Sequence, residues 1–254
     1  MMSAVRTLLW AWMVLDSGDC SLPDISDGDF IDECVRAHNE ARSSVSPPAS
    51  DMLHMTWDEG LAITARAWAR HCVFEHNTYL KEVGRVHPTF SSVGENLWAG
   101  YPPSAFKASR AIKSWVDEEP NYNHGSNVCT KVCGHYTQVV WASSYKVGCA
   151  AQLCPEEVIF VCNYAPAGNV NRRRPYKQGG AGCSGCEGRC EGHLCRSQER
   201  DLQESYTWSP DWDPVLGPRF SYVPVLVVRP VALIFTFIVA YAVRHFYPDV
   251  FCYE

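Results

Sequence analysis

Residues 30–42 place Phe30, Cys34, Ala37 and Ala41 at spacings of three and four, the pattern of one helical face. Asp29 is read as the cap of this helix, with Asp32 three residues later and Ser46-Pro47-Pro48 as its stop. A second helix is predicted from Asp58, with Leu61, Ala65, Trp68 and Cys72 on one stripe and several alanines adding propensity. A third begins after Ser104, carries Phe106, Ser109, Ile112 and Val116 on one face with Trp115 beside it, and stops at Pro120. The pattern then changes. Residues 136–141 (YTQVVW), 147–153 and 158–164 are β-branched or aromatic runs separated by turn residues, which predicts three short strands, the last two a hairpin. Helices first and strands second predict an α+β fold built in layers.

The two ends are apolar. Residues 7–15 (TLLWAWMVL) follow Arg6 and precede small residues at Gly18 and Cys20, the layout of a secretory signal cleaved before Ser21. The alternative is a buried N-terminal helix. Residues 220–243 hold Arg229 as their one charged residue, and a run of this length predicts a membrane anchor continuing to Tyr247. The alternative is a hydrophobic strand or helix of a soluble body. The expected order is therefore a signal peptide (1–20), a main domain (25–170), a linker and cysteine-rich hinge (171–200), a stalk (201–222), a transmembrane helix (223–247) and a cytoplasmic tail (248–254).

Composition narrows the class. The chain has 254 residues, of which 46% are hydrophobic and 20% charged, which excludes global disorder. A net charge of -6 argues against nucleic acid as a partner, although residues 171–182 (NRRRPYKQGGAG) hold one basic cluster. Thirteen cysteines imply an oxidising compartment. Four of them crowd into residues 183–195, a glycine-rich stretch that needs covalent links or metal to hold a shape. Two CxxC-like spacings allow zinc there, but export favours disulfides. The six cysteines of the main domain leave fifteen pairings open.

His76, Glu95, Glu118 and His135 are the candidate chemistry. His76 is read near the end of the second helix, Glu118 three residues after Trp115, and His135 at the start of a strand. Spacing alone does not bring them together, and singly each reads as a solvated or hydrogen-bonded residue.

The run 134–141 (GHYTQVVW) with Val147-Gly148-Cys149, and the run 162–169 (CNYAPAGN), resemble the two signatures of the superfamily named for cysteine-rich secretory proteins, antigen 5 and pathogenesis-related proteins. Residues 37–42, 55–58, 72–77 and 94–97 support the match, which covers about residues 30–196. The hinge and the terminal apolar run resemble its membrane-attached, glioma pathogenesis-related branch. The resemblance implies a three-layer α-β-α sandwich with a central antiparallel sheet. It implies that His76, Glu95, Glu118 and His135 share one cleft, where the histidines bind zinc or another divalent cation and the glutamates support them. It implies the disulfides Cys72–Cys154, Cys129–Cys133, Cys149–Cys162, Cys183–Cys190 and Cys186–Cys195, leaving Cys34 free in the core. Three functions stay open: a secreted or cell-surface binding module for a lipid, a sterol or a protein; a metal-assisted hydrolase or protease; and a structural or adhesion protein with a vestigial cleft. No His-Glu-x-x-His or Gly-x-Ser-x-Gly motif favours catalysis.

Overall fold

The structure, a computed structural model, describes residues 22–170, 173–180, 182–215 and 229–246. The expected signal peptide, the cytoplasmic tail and the start of the apolar run lie outside the described residues. The chain divides into two units, 1–214 and 215–254.

In the first unit, helix α1 (Gly28–Ser43) starts two residues earlier than its pattern suggests, so Asp29, read as its cap, lies in its first turn. Asp27 caps it, accepting from the N–H groups of Asp29 and Phe30. Its buried face is Phe30, Cys34, His38 and Arg42, so two polar residues hold the i+4 positions where alanines were expected. Strand β1 (Thr56–Trp57) leads into α2 (Glu59–Ala69), which begins where expected, with Asp58 as its cap on Leu61 N at 2.9 Å. Strand β2 (Gly94–Gly100) has no counterpart in the sequence reading. Helix α3 (Ala108–Val116) buries Ala108, Ala111, Ile112 and Trp115. The small strands β3 (Tyr122–Asn123) and β4 (Val128–Cys129) pair with each other. Residues Gly134–Val139 then form helix α4, and this corrects the strand expected at 136–141. The β-branched residues there are buried by tertiary packing, which overrides their strand propensity. Strands β5 (Lys146–Leu153) and β6 (Val158–Ala165) form the expected hairpin.

The central sheet has the order β1-β5-β6-β2. Its β5, β6 and β2 strands are antiparallel, and the two-residue β1 joins parallel to β5. Helix α2 packs on β5 and β6, while α1, α3 and α4 pack together as the other layer. The fold is thus the expected α+β three-layer sandwich. Gly148 sets the approach of α2 to the sheet, because a Cβ there would overlap Ala62 N.

Arg42 ties the layers at one end. Its guanidinium is buried, and its five N–H groups, one of them shared between two acceptors, reach the carbonyls of Leu53, Val139, Trp141, Ala142 and Ser144. Burial lowers its pKa to about 9. All five implied disulfides are present, and Cys34 is free and buried. The hinge is a disulfide hairpin of β7 (Arg189–Glu191) and β8 (Leu194–Arg196). The sulfurs of Cys183, Cys186 and Cys195 lie close enough to suggest a metal, but each belongs to a disulfide and offers no thiolate.

The described part of the segment read as a stalk packs on the main domain. Tyr206 Oη donates to Asp58 at 3.0 Å, Trp212 stacks on Tyr79, and Arg70 pairs with Asp213 at 2.7 Å.

The second unit contains α5 (Arg229–Phe246). The membrane span expected over 223–247, and the bilayer attachment that rests on it, find no support among the described residues. Among the described residues no helix is long and apolar enough to cross a membrane.

Candidate functional site

The four candidate residues fall into two carboxylate–imidazole pairs. His76 lies beyond the end of α2, not within it. The loop that carries it is pinned by the Cys72–Cys154 disulfide, by Trp68 Nε1 donating to Glu75 O at 2.7 Å, and by Asn77, whose Oδ1 caps the turn Thr78–Lys81. Glu95 comes from β2, where it sits in register with Asn163 of β6. Its Oε1 accepts from His76 Nδ1 and from Asn77 N, both at 2.9 Å, and Asn163 Nδ2 approaches Oε2 at 3.4 Å. The Glu95 side chain is 1% exposed and that of His76 is 64% exposed, so a buried carboxylate holds an imidazole that faces solvent. The hydrogen bond to Glu95 raises the His76 pKa above its usual value.

The second pair is built at a helix start. Glu118 follows α3, and its Oε1 accepts from His135 Nδ1 at 2.6 Å. Its Oε2 accepts from the main-chain N–H groups of His135 and Tyr136 at 3.1 and 3.3 Å. These are orphan donors of the first turn of α4, so one carboxylate both orients the imidazole and closes the helix that carries it. Trp115 lies nearly parallel to the His135 ring, and its Nε1 donates to Leu97 O in β2.

Strand β2 connects the two pairs. Asn96, next to Glu95, donates from Nδ2 to His135 O at 3.0 Å and to Tyr164 Oη at 3.3 Å. Tyr164 Oη in turn meets His38 Nε2 at 2.9 Å, and His38 Nδ1 meets Cys34 O at 2.7 Å. A carbonyl cannot donate, so His38 carries its proton on Nδ1 and accepts from Tyr164 on Nε2. Burial holds the His38 pKa down at about 4, so this ring is neutral. Sequence reasoning passed over His38, Asn96 and Tyr164. His38 and Arg42 at i+4 on a face otherwise apolar were the available signal.

In both pairs the carboxylate occupies Nδ1. Each neutral imidazole therefore carries hydrogen on Nδ1 and leaves the Nε2 lone pair for another partner. This is the arrangement in which a carboxylate orients a histidine toward a metal.

A three-layer α+β domain with two carboxylate-oriented histidines beside its sheet, stapled by disulfides, defines a class. Residues 35–164 match the family described as CAP, the cysteine-rich secretory protein family, and the chain belongs to it. It is 51% identical over 198 residues to GLIPR1-like protein 1 of Bos taurus, covering 76% of this chain and 80% of that protein. It is 47% identical over 233 residues to glioma pathogenesis-related protein 1 of Mus musculus, covering 90% and 89%. Among solved structures it is similar to NaASP2 crystallised with Zn2+, at a TM-score of 0.57 and 28% identity, covering 69% of this chain and all of the other.

Proposed function

We propose that the chain is a secretory-pathway binding module whose His76 and His135 hold a divalent cation through their Nε2 atoms. The observation that carries this reading is the placement of Glu95 and Glu118 on the two Nδ1 atoms, at 2.9 and 2.6 Å. Two imidazoles suit a borderline-soft ion such as zinc, and a site with two protein ligands keeps positions open for an external ligand. A bound cation supplies a Lewis-acidic contact for an anionic or carbonyl group. The crystallisation of NaASP2 with Zn2+ supports the choice of ion.

Binding is favoured over hydrolysis by the state of the carboxylates. Glu95 is engaged by His76 and Asn77, and Glu118 by His135 and two main-chain N–H groups. Each carboxylate thus serves to orient its imidazole. Five disulfides support an oxidising compartment and a body delivered by a signal peptide over 1–20. The division into a main domain (25–170) and a hinge (171–200) is part of the same reading, as is an external lipid, sterol or protein ligand.

Titration calorimetry of the full chain with zinc is the test. Wild type should bind one ion, and His135→Ala, with its disulfides intact by mass spectrometry, should lose it. Equal affinity in the two proteins would place the metal elsewhere.

A further inference from the structure

The basic cluster noted in the sequence lines a concave groove of about 1210 Å3. Its walls are the segment 173–178, the connection from α4 to β5, and the start of the segment after β6. None of His76, Glu95, Glu118 and His135 borders it, so it is separate from the metal site proposed above.

The segment that carries the charge is held in place. Ala142 N donates to Pro175 O at 2.7 Å, Ser50 N to Lys177 O at 2.8 Å, and Arg173 N to Val170 O at 3.1 Å. Arg174 is fixed as well, with Nε on His124 O at 2.9 Å and Nη2 on Gly125 O at 2.6 Å, which leaves Nη1 for a ligand. Arg173 and Lys177 are exposed and make no side-chain hydrogen bond or ion pair among the described residues. The one acid bordering the groove, Asp51, has its Oδ1 turned to the main-chain N–H of Lys177 at 2.9 Å. Three cations thus converge on a groove with no side-chain partner, in a chain whose net charge is -6. Pinning the backbone lowers the ordering cost of binding.

The lining selects among anionic partners. The volume is far larger than one oxyanion requires, and the three charges call for a ligand with repeated anionic groups. The aromatic residues beneath it, Trp141 and Tyr176, are buried and offer no faces on which bases could stack. Val170 is the only large apolar side chain in the lining that is exposed, too little to enter a bilayer. Ser143 and Gln178 are exposed at the rim and can hydrogen-bond sugar hydroxyls. We propose that this groove binds a linear sulfated polysaccharide through Arg173, Arg174 and Lys177.

The experiment is titration of the full chain with a heparin-derived decasaccharide, in EDTA so that metal at the histidine pair plays no part, over a range of salt. Wild type should bind, with affinity that falls as salt rises. The double variant Arg173→Ala/Lys177→Ala should bind at least ~10-fold more weakly, with a salt dependence shallower by roughly 1–2 in log–log slope. Arg36→Ala and Arg189→Ala, which remove exposed basic residues elsewhere, should stay within about twofold, since they leave the groove charges in place. Absence of wild-type binding, or equal affinity of the double variant, overturns the proposal. So does equal binding of a polyglutamate peptide of matched charge, which would make the groove an interface for acidic protein.

Discussion

Glu118 closes the N-terminus of the helix that carries His135. One oxygen takes the imidazole Nδ1–H at 2.6 Å, and the other takes the main-chain N–H of the same residue at 3.1 Å. Orientation of the ring and integrity of the helix start are therefore one interaction.

Replacing Glu118 should affect both. Glu118→Gln keeps the shape but loses the charge, and zinc affinity should fall about 10–100-fold by calorimetry. Glu118→Ala should also cost about 0.5–2 kcal/mol in urea unfolding, the usual cost of a lost cap. A zinc affinity unchanged in both variants would separate Glu118 from the function of His135.

His38 gives the body a pH dependence. Its folded pKa is about 4 against 6.5 for the free side chain. Between those values the unfolded chain takes up a proton that the folded ring refuses. Stability is thus undiminished above about pH 6.5, declines as pH falls toward 4, and from this group changes no further below. The full effect is about 3 kcal/mol. Urea unfolding of wild type and His38→Gln at pH 7 and pH 4.5 measures it, and the variant should lose less stability on acidification than wild type.

Arg42 should be irreplaceable by lysine. An ammonium has three donors and cannot reproduce a planar fork that reaches five carbonyls. Each buried carbonyl left without a donor costs about 1–3 kcal/mol. Arg42→Lys should therefore lower stability by at least ~3 kcal/mol, a loss that thermal unfolding would show as a clear fall in Tm.

The disulfides should differ according to the chain they enclose. Cys72–Cys154 spans 82 residues and Cys129–Cys133 spans 4. Loop-closure entropy assigns about 4.5 kcal/mol to the first and about 2 kcal/mol to the second. Paired alanine variants compared in urea should preserve that order. A larger loss from the short loop would mean that its local role, one residue before α4, outweighs chain entropy.

Much of the fold was legible in the pattern. The start of a helix at Asp58, the 147–153 and 158–164 hairpin, and the helices around Cys34, Leu61 and Ile112 came from short-range physics that each segment carries in its own sequence. Where the reading failed, a distant partner decided. Residues 136–141 have strand propensity, yet residues 134–139 are helical, because tertiary packing buries Tyr136–Val139 and a carboxylate from residue 118 satisfies the first donors. Strand β2 was missed because Gly94-Glu95-Asn96 is neither alternating nor β-branched. It exists through pairing with β6 along its whole length.

The sequence by itself determined the layered α+β class, the oxidising chemistry of the cysteines and the choice of four candidate residues, because motif, composition and period are properties of the chain. It could not determine which atoms those residues present. Only the tertiary structure decided that Glu95 and Glu118 take the Nδ1 side of each imidazole, that Asn96 ties His135 to a buried Tyr164–His38 chain, and that the 173–177 cluster faces a groove. Each of these joins residues from separate elements, and a hydrogen bond between them is settled by backbone placement that no local propensity encodes.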